Sequence, residues 1–386
     1  MKKKYIPYLI GVPNLGVGLL WAMNMLLIPI FAATITKSYS KLAILTSMGA
    51  FTGIFVQYFA GILSDRSNFK MGRRKPFIII GSLFATLFIC LMPFSKSYTL
   101  LFVVSFLFYF SLNFYQGPYY SLIPESVEEN QLGLANGFSR IISVLGMALI
   151  FVLGTSLWEK NHSLPFFLAA ALALISVMIT VAFVKEDPFK YKKPTKLSFD
   201  FIKYPSVMKL YFSAFFVFLS YGCVTPFFVR YCVNELKFSE GNASTGLLVL
   251  TLVGAAFAYP IGLLADKVEK RKVLLAGVII LTLCLAFAPL ARNLFGMNLV
   301  FSFFGVGFIA IQITSYAIVA EIVPPERLGE FMGILNLFIS LSQFITNNIM
   351  GIILDKFGFS LFFPIPCLAM FIAAVIIFFS RFEKYE

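Results

Sequence analysis

Twelve runs of mostly apolar residues follow one another along this 386-residue chain, each close to the length a helix needs to cross roughly 30 Å of hydrocarbon. Their approximate bounds are Tyr8 to Ala33, Leu42 to Leu63, Phe77 to Phe94, Tyr98 to Leu122, Leu134 to Leu157, Leu164 to Val184, Val207 to Val229, Gly241 to Leu264, Val273 to Ala291, Leu294 to Ala320, Phe331 to Leu354 and Ser360 to Phe379. Lipid offers backbone amides no partner, so such segments must satisfy their own hydrogen bonds as helices; a membrane barrel would show short alternating segments instead. The predicted fold class is an all-α integral membrane protein with twelve transmembrane helices. At 59% hydrophobic and 13% charged residues, the chain has too little polar surface to wrap a soluble core. Lys2, Lys3 and Lys4 before the first run invite a signal-peptide reading, but that run is too long, lacks a small-residue cleavage site and precedes eleven more, so it is taken as the first span.

The net charge of +13 raises the question of a polyanionic partner. With the amino terminus placed in the cytoplasm, 23 of the 31 Lys and Arg residues fall on cytoplasmic segments, which is the positive-inside asymmetry of a multi-pass membrane protein. Nucleic acid is therefore not an expected partner, and both termini are expected in the cytoplasm of a protein of the cytoplasmic membrane. The five cysteines lie scattered through apolar runs without metal-ligand spacing, and the single histidine, His162, falls in a short outer loop. No metal or cofactor is expected.

Between the second and third runs lies a basic hairpin, Gly61-Ile62-Leu63-Ser64-Asp65-Arg66, followed after five residues by Gly72-Arg73-Arg74-Lys75-Pro76. A shorter copy, Gly262-Leu263-Leu264-Ala265-Asp266, precedes Glu269-Lys270-Arg271-Lys272 between the eighth and ninth runs. An offset of 196 residues superposes Gln116 on Gln312, Tyr120 on Tyr316, Glu125 on Glu321, Gly133 on Gly329 and Gly137 on Gly333. The sequence thus divides into a six-helix bundle over 1–184, a lysine- and proline-rich cytoplasmic linker over 185–206 and a second six-helix bundle over 207–386.

Parallel repeats of six helices are the layout of major facilitator transporters, which this sequence resembles over its full length. The first hairpin is similar to the loop of the sucrose-transporter-like and sugar-cation symporter branches, and Gln116-Gly117-Pro118 resembles the Gln-Gly-Pro of their fourth helix. The resemblance implies two pseudo-symmetric bundles that rock about a central site. It also implies gating residues at Gly61, Asp65, Arg66, Gly72 and Arg73, with Asp266 in the other half, holding the cytoplasmic ends together in the outward-open state. Arg74 and Lys75 are taken as topology-setting charges. Glu125 and Arg140 flank the turn between the fourth and fifth runs and Glu321 and Arg327 flank its copy, which makes Glu125, Arg140 and Glu321 further gating candidates. Arg140, about two turns into its helix, is expected to face the interior.

Polar side chains in apolar runs are costly facing lipid, so their spacing marks interior faces. In the eleventh run Asn336, Ser340, Gln343 and Asn347 make one stripe at i, i+4, i+7 and i+11, and Tyr109, Asn113, Gln116 and Tyr120 repeat it in the fourth. Asn14, Trp21 and Asn24 share a face of the first run, Tyr221 and Thr225 lie in the seventh, and Gln312 and Tyr316 in the tenth. In the resembled superfamily the first, fourth, seventh and tenth helices line the cavity. Neutral amides and aromatic rings suit a polyhydroxylated ligand, since amides donate and accept while rings stack on apolar sugar faces; interhelical knitting is the competing use of the same groups.

A small neutral, sugar-like solute moved by alternating access is the expected function, carried out by a monomer without catalysis. Proton or sodium coupling stays open: no carboxylate or histidine lies deep in a run, and Tyr109 and Tyr120 stand where sucrose-proton symporters carry Asp and Arg. The alternatives are an exporter of lipophilic compounds, although the Gly-Pro-x-x-Gly-Gly run of drug-proton antiporters is missing from the fifth span, and a non-transporting sensor or assembly factor.

Overall fold

A computed structural model describes residues 3–67, 69–128, 131–186, 204–323 and 328–382. Among them there are helices and short 3-10 turns but no strand. The helices are α1 (Ile6–Ile35), α2 (Tyr39–Asp65), α3 (Lys75–Leu91), α4 (Tyr98–Ser126), α5 (Leu132–Lys160), α6 (Leu164–Phe183), α7 (Pro205–Asn234), α8 (Glu240–Lys267), α9 (Lys270–Phe287), α10 (Leu294–Ile322), α11 (Leu328–Phe357) and α12 (Pro364–Phe379). Eleven are long and apolar enough to cross a membrane, and α12, with 16 residues, is the shorter remaining one. The all-helical membrane fold expected from the apolar runs is present.

Prolines accompany the breaks in α1 and α7, whereas Pro118, Pro124 and Pro260 lie within unbroken helices. α1 is interrupted at Val12 and at Leu26, and α7 between Val224 and Phe228. A proline removes one amide donor and crowds the carbonyl four residues earlier, leaving that oxygen for another partner. Pro13 releases the Leu9 carbonyl, which accepts from Thr180 Oγ1 on α6 at 2.5 Å. Pro226 does the same to Gly222, whose carbonyl accepts from Asn347 Nδ2 on α11 at 2.8 Å. Serine and asparagine caps start other helices: Ser97 accepts from the Leu100 amide ahead of α4, and Asn293 from the Gly296 amide ahead of α10.

The chain forms two compact units, Met1–Lys37 with Ile44–Lys193, and Ser38–Ala43 with Pro194–Glu386. In the first unit α1 packs on α5 and α6, and α3 on α4 and α6; in the second α7 packs on α11 and α12, and α9 on α10 and α12. Each pairing recurs six helices later. α4 and α10 begin and end 196 residues apart, the offset already visible in the sequence, and so do the capping residues Ser97 and Asn293. The linker over 185–206 falls mostly on 187–203, outside the described residues.

The start of α2 clusters with the second unit, and Asp355 near the end of α11 caps it. Its carboxylate accepts from the Tyr39 amide at 2.6 Å, the Ser40 amide at 2.9 Å, Ser38 Oγ at 2.8 Å and Ser40 Oγ at 2.5 Å. Tyr39 OH accepts from Asn234 Nδ2 at 2.7 Å, and the Tyr39 ring sits edge-on to Phe227 and Phe359. Elsewhere the helices carry large apolar side chains outward, Phe295 and Phe379 among them, as expected where the solvent is lipid. A crevice of about 620 Å³ between α3 and α6, lined by Ile80, Phe84, Leu87, Phe167 and Leu174, holds none of the polar residues discussed below and suits an acyl chain.

Candidate functional site

The hairpin between α2 and α3 folds into a compact charge cluster in the first unit. Arg74 Nη2 lies 2.5 Å from Asp65 and 2.8 Å from Glu125, Arg73 Nη2 is also 2.8 Å from Glu125, and Arg73 Nη1 is 3.6 Å from Asp65. Arg74 Nη1 donates to Ser64 Oγ at 2.6 Å and to the Gly61 carbonyl at 3.2 Å. Two arginines thus join the ends of α2 and α4 at the foot of α3. Arg74, taken from the sequence as a topology-setting charge, is instead the hub: its side chain is 4% exposed and touches every acid of the cluster but Glu186. Burial opposes its charge, but hydrogen bonding to Glu125 and then the charges of Glu125, Asp65 and Glu186 outweigh that, holding the guanidinium above its ordinary value. Arg66 is exposed and stands outside the cluster.

Glu186, just beyond α6, completes the arrangement. Its carboxylate accepts from the amides of Arg73 (3.1 Å), Arg74 (2.8 and 3.1 Å) and Lys75 (3.4 Å), the orphan donors at the start of α3, whose own N-cap side chain makes no capping bond. Gly72 makes room for it. With φ of +108°, Gly72 adopts a conformation side chains disfavour, and a Cβ there would lie 2.1 Å from Glu186 Oε2.

The second unit's copy is looser and has the opposite polarity. Lys270 pairs with Glu321 at 3.0 Å on the surface, and Asp266 is exposed. Arg271 donates to the Ile377 carbonyl at 3.1 Å and to the Phe378 carbonyl, satisfying the last turn of α12. Each hairpin is therefore tied to the sixth helix of its own unit, by an acid on amides in the first and by a base on carbonyls in the second. Arg327 lies outside the described residues. Arg140 is exposed, within electrostatic reach of Tyr120.

The polar stripe of α4 meets α1 and α2. Tyr109 OH donates to Asn24 Oδ1, and the Trp21 ring packs beside Tyr109 over Gly49. Asn113 is 0% exposed and its nitrogen is fully used: its two hydrogens are shared among the Gly49 carbonyl, Thr52 Oγ1 and the Tyr109 carbonyl, while its oxygen accepts from Gln57 Nε2 at 2.7 Å. Gln57 Nε2 also donates to Gln116 Oε1 at 3.1 Å. Asn14 donates to Tyr119 OH at 2.6 Å, which in turn donates to the Ile10 carbonyl. Tyr120, by contrast, is 41% exposed.

In the second unit Tyr316 OH donates to Asn336 Oδ1 at 2.6 Å, joining α10 to α11. Asn347 bonds the Gly222 and Gln343 carbonyls and is buried, while Gln343 and Gln312 are half-buried and Asn336 is exposed. Tyr221 stacks on Phe308 with centroids 4.3 Å apart, and Thr225 Oγ1 donates to the Tyr221 carbonyl within α7. Candidate residues thus fall into side-chain bonded groups, Asn14 with Tyr119, Asn24 with Tyr109, Asn113 with Gln116 through Gln57, and Tyr316 with Asn336, while Asn347 and Thr225 bond main-chain carbonyls.

Sequence reasoning passed over Glu186, Gln57, Tyr119 and Asp355. Gln57 was findable as an amide in the middle of an apolar run, whereas Glu186 sits in a charged stretch where nothing local marks one acid from another.

Comparison with known proteins adds the following. The family model of the Major Facilitator Superfamily matches residues 14–205 and 210–386. The chain is 27% identical over 220 residues to the sucrose transport protein SUC3 of Arabidopsis thaliana, covering 47% of this chain and 37% of that protein. It is 32% identical over 210 residues to the general alpha-glucoside permease of Schizosaccharomyces pombe, covering 47% of this chain and 38% of the permease. The match thus spans under two-fifths of the length of these relatives. Among solved structures, a point mutant of the nucleoside transporter NupG superposes with a TM-score of 0.80 at 14% identity, covering 96% of this chain and 97% of that one. A bacterial homologue of the human lysosomal transporter Spinster superposes with a TM-score of 0.76 at 16% identity, covering 97% and 95%. With its two units built on one helix-pairing plan and a family match over nearly its whole length, the chain belongs to the Major Facilitator Superfamily.

Proposed function

We propose that this protein carries a small neutral, sugar-like solute across the cytoplasmic membrane by alternating access, as a monomer with both termini in the cytoplasm. The observation that carries the reading is the similarity to a sucrose transport protein and an alpha-glucoside permease in a chain whose candidate binding residues are all neutral. Asn14, Trp21, Asn24, Gln116, Tyr221, Gln312 and Gln343 offer amide donors and acceptors beside aromatic faces, the chemistry a polyol with apolar ring faces requires. The cluster of Asp65, Arg73, Arg74, Glu125 and Glu186 then acts as a rigid foot of the first unit that keeps α2, α3, α4 and α6 moving as one body. Transport by such a body needs no bond making.

A binding screen tests the substrate class. Purified protein is expected to be stabilised against heat by an α-glucoside or by sucrose, since a ligand that prefers the folded state raises the melting temperature. Stabilisation by lipophilic cations with none by sugars would assign it to export of lipophilic compounds. A transporter of the proposed kind is not an enzyme: the sugar is recovered unaltered.

A further inference from the structure

Where α2 and α4 cross, Gly117 brings the backbones so close that a Cβ there would lie 2.3 Å from the Gln57 carbonyl. The side chains at this crossing do not share their hydrogen bonds evenly. The Asn113 nitrogen faces three acceptors with its two hydrogens, so it has no donor left for a ligand. Gln57 uses both hydrogens of its amide nitrogen on Asn113 Oδ1 and Gln116 Oε1, which fixes the amide plane and leaves Oε1 of this half-buried residue without a partner among the described residues. Gln116 is 1% exposed, and its Nε2 has no hydrogen-bond partner among the described residues. An unmatched buried donor costs about 1–3 kcal/mol, an unusual expense for a side chain placed beside a second amide with an unused acceptor.

We propose that Gln57 and Gln116 form a subsite for one hydroxyl group of the substrate, the hydroxyl oxygen accepting from Gln116 Nε2 while its hydrogen is donated to Gln57 Oε1. A hydroxyl carries one donor and two acceptor positions, so it answers both unmatched groups at once, which neither an ether nor a quaternary cation does. Neither side-chain amide is bonded to backbone, so the pair can exchange its mutual bond for bonds to the hydroxyl without disturbing either helix's backbone ladder. Gln57 thereby joins the binding residues, and Asn113 serves as the fixed post that orients it. The inference rests on the sugar-like substrate proposed above.

The test uses the full-length protein and measures binding of methyl α-D-glucopyranoside and its monodeoxy analogues at each ring position. Wild type is expected to bind one analogue about tenfold more weakly than the parent, the size of one hydrogen bond lost. Gln57→Met and Gln116→Met are each expected to bind the parent about tenfold more weakly and to lose the discrimination against that analogue. Folded variants that keep the wild-type discrimination overturn the subsite and leave the sugar reading standing. A wild type that binds none of these sugars overturns both. Gln116→Met removes a single bond, to Gln57, and gives the readout if Gln57→Met does not fold.

Discussion

Gly72 shows how one residue type can decide a site. Its φ of +108° and the 2.1 Å between its virtual Cβ and Glu186 mean that Gly72→Ala both strains the backbone and displaces the carboxylate that caps α3. The expected loss is about 2 kcal/mol or more, read as a lower melting temperature in detergent, with Gly61→Ala as the control because a Cβ at Gly61 meets nothing within 4 Å. Arg74→Met should cost about 3 kcal/mol, since it leaves Asp65 and Glu125 to Arg73 alone in a cluster that is mostly shielded from water. Arg74→Lys should recover less than half of that, because an ammonium cannot reach Asp65, Glu125, Ser64 and the Gly61 carbonyl together. A Lys variant as stable as wild type would show that charge alone, not the guanidinium's shape, holds the cluster. The guanidinium is held above its ordinary value, so its contribution is lost only as pH rises through that raised value; stability from this group is expected to stay flat across the neutral range. The motif spacing singled out Asp65, Gly72 and Arg73 together with Arg66, which stands outside the cluster, and the hub role of Arg74 was illegible, because neighbouring arginines in a basic run differ only in where the fold points them.

Helices in this protein are cut and capped by rules that are local in the first step and distant in the second. Pro13 and Pro226 interrupt spans that hydropathy reads as continuous, and that Thr180 and Asn347 take up the freed carbonyls was not legible, since each lies more than 100 residues away. The same holds for the start of α2, whose first amides find their acceptor on Asp355. Asp355→Ala should remove a cap worth about 1–2 kcal/mol and speed hydrogen exchange of the amides at Tyr39 and Ser40, with Asp355→Asn intermediate. Unchanged exchange in the alanine variant would mean that the cap contributes nothing to that turn. Element identity and order were legible because a lipid-spanning run has no alternative to helix, and the repeat was legible because the offset of 196 residues runs from the capping residues through the ends of α4 and α10. The polar stripes singled out residues that share helix faces, yet periodicity alone could not separate a fully used amide nitrogen, as in Asn113, from an unpartnered one, as in Gln116, because that depends on which α2 groups, such as Thr52 and Gln57, reach over to α4.

At the scale of the molecule, the two units share a pairing plan but differ in their hairpins, one buried and built around a carboxylate on amides, the other exposed and built around a guanidinium on carbonyls. That asymmetry gives the first unit the more buried charge cluster. The account's central claim is that a neutral, sugar-like solute crosses the membrane through this fold, and counterflow in proteoliposomes tests it most directly. Vesicles preloaded with unlabelled α-glucoside or sucrose should accumulate labelled sugar transiently and saturably, and a pH gradient imposed in parallel would separate proton coupling from facilitated diffusion. Labelled sugar entering no faster than into protein-free vesicles, while a lipophilic compound is moved by the same preparation, would contradict the account.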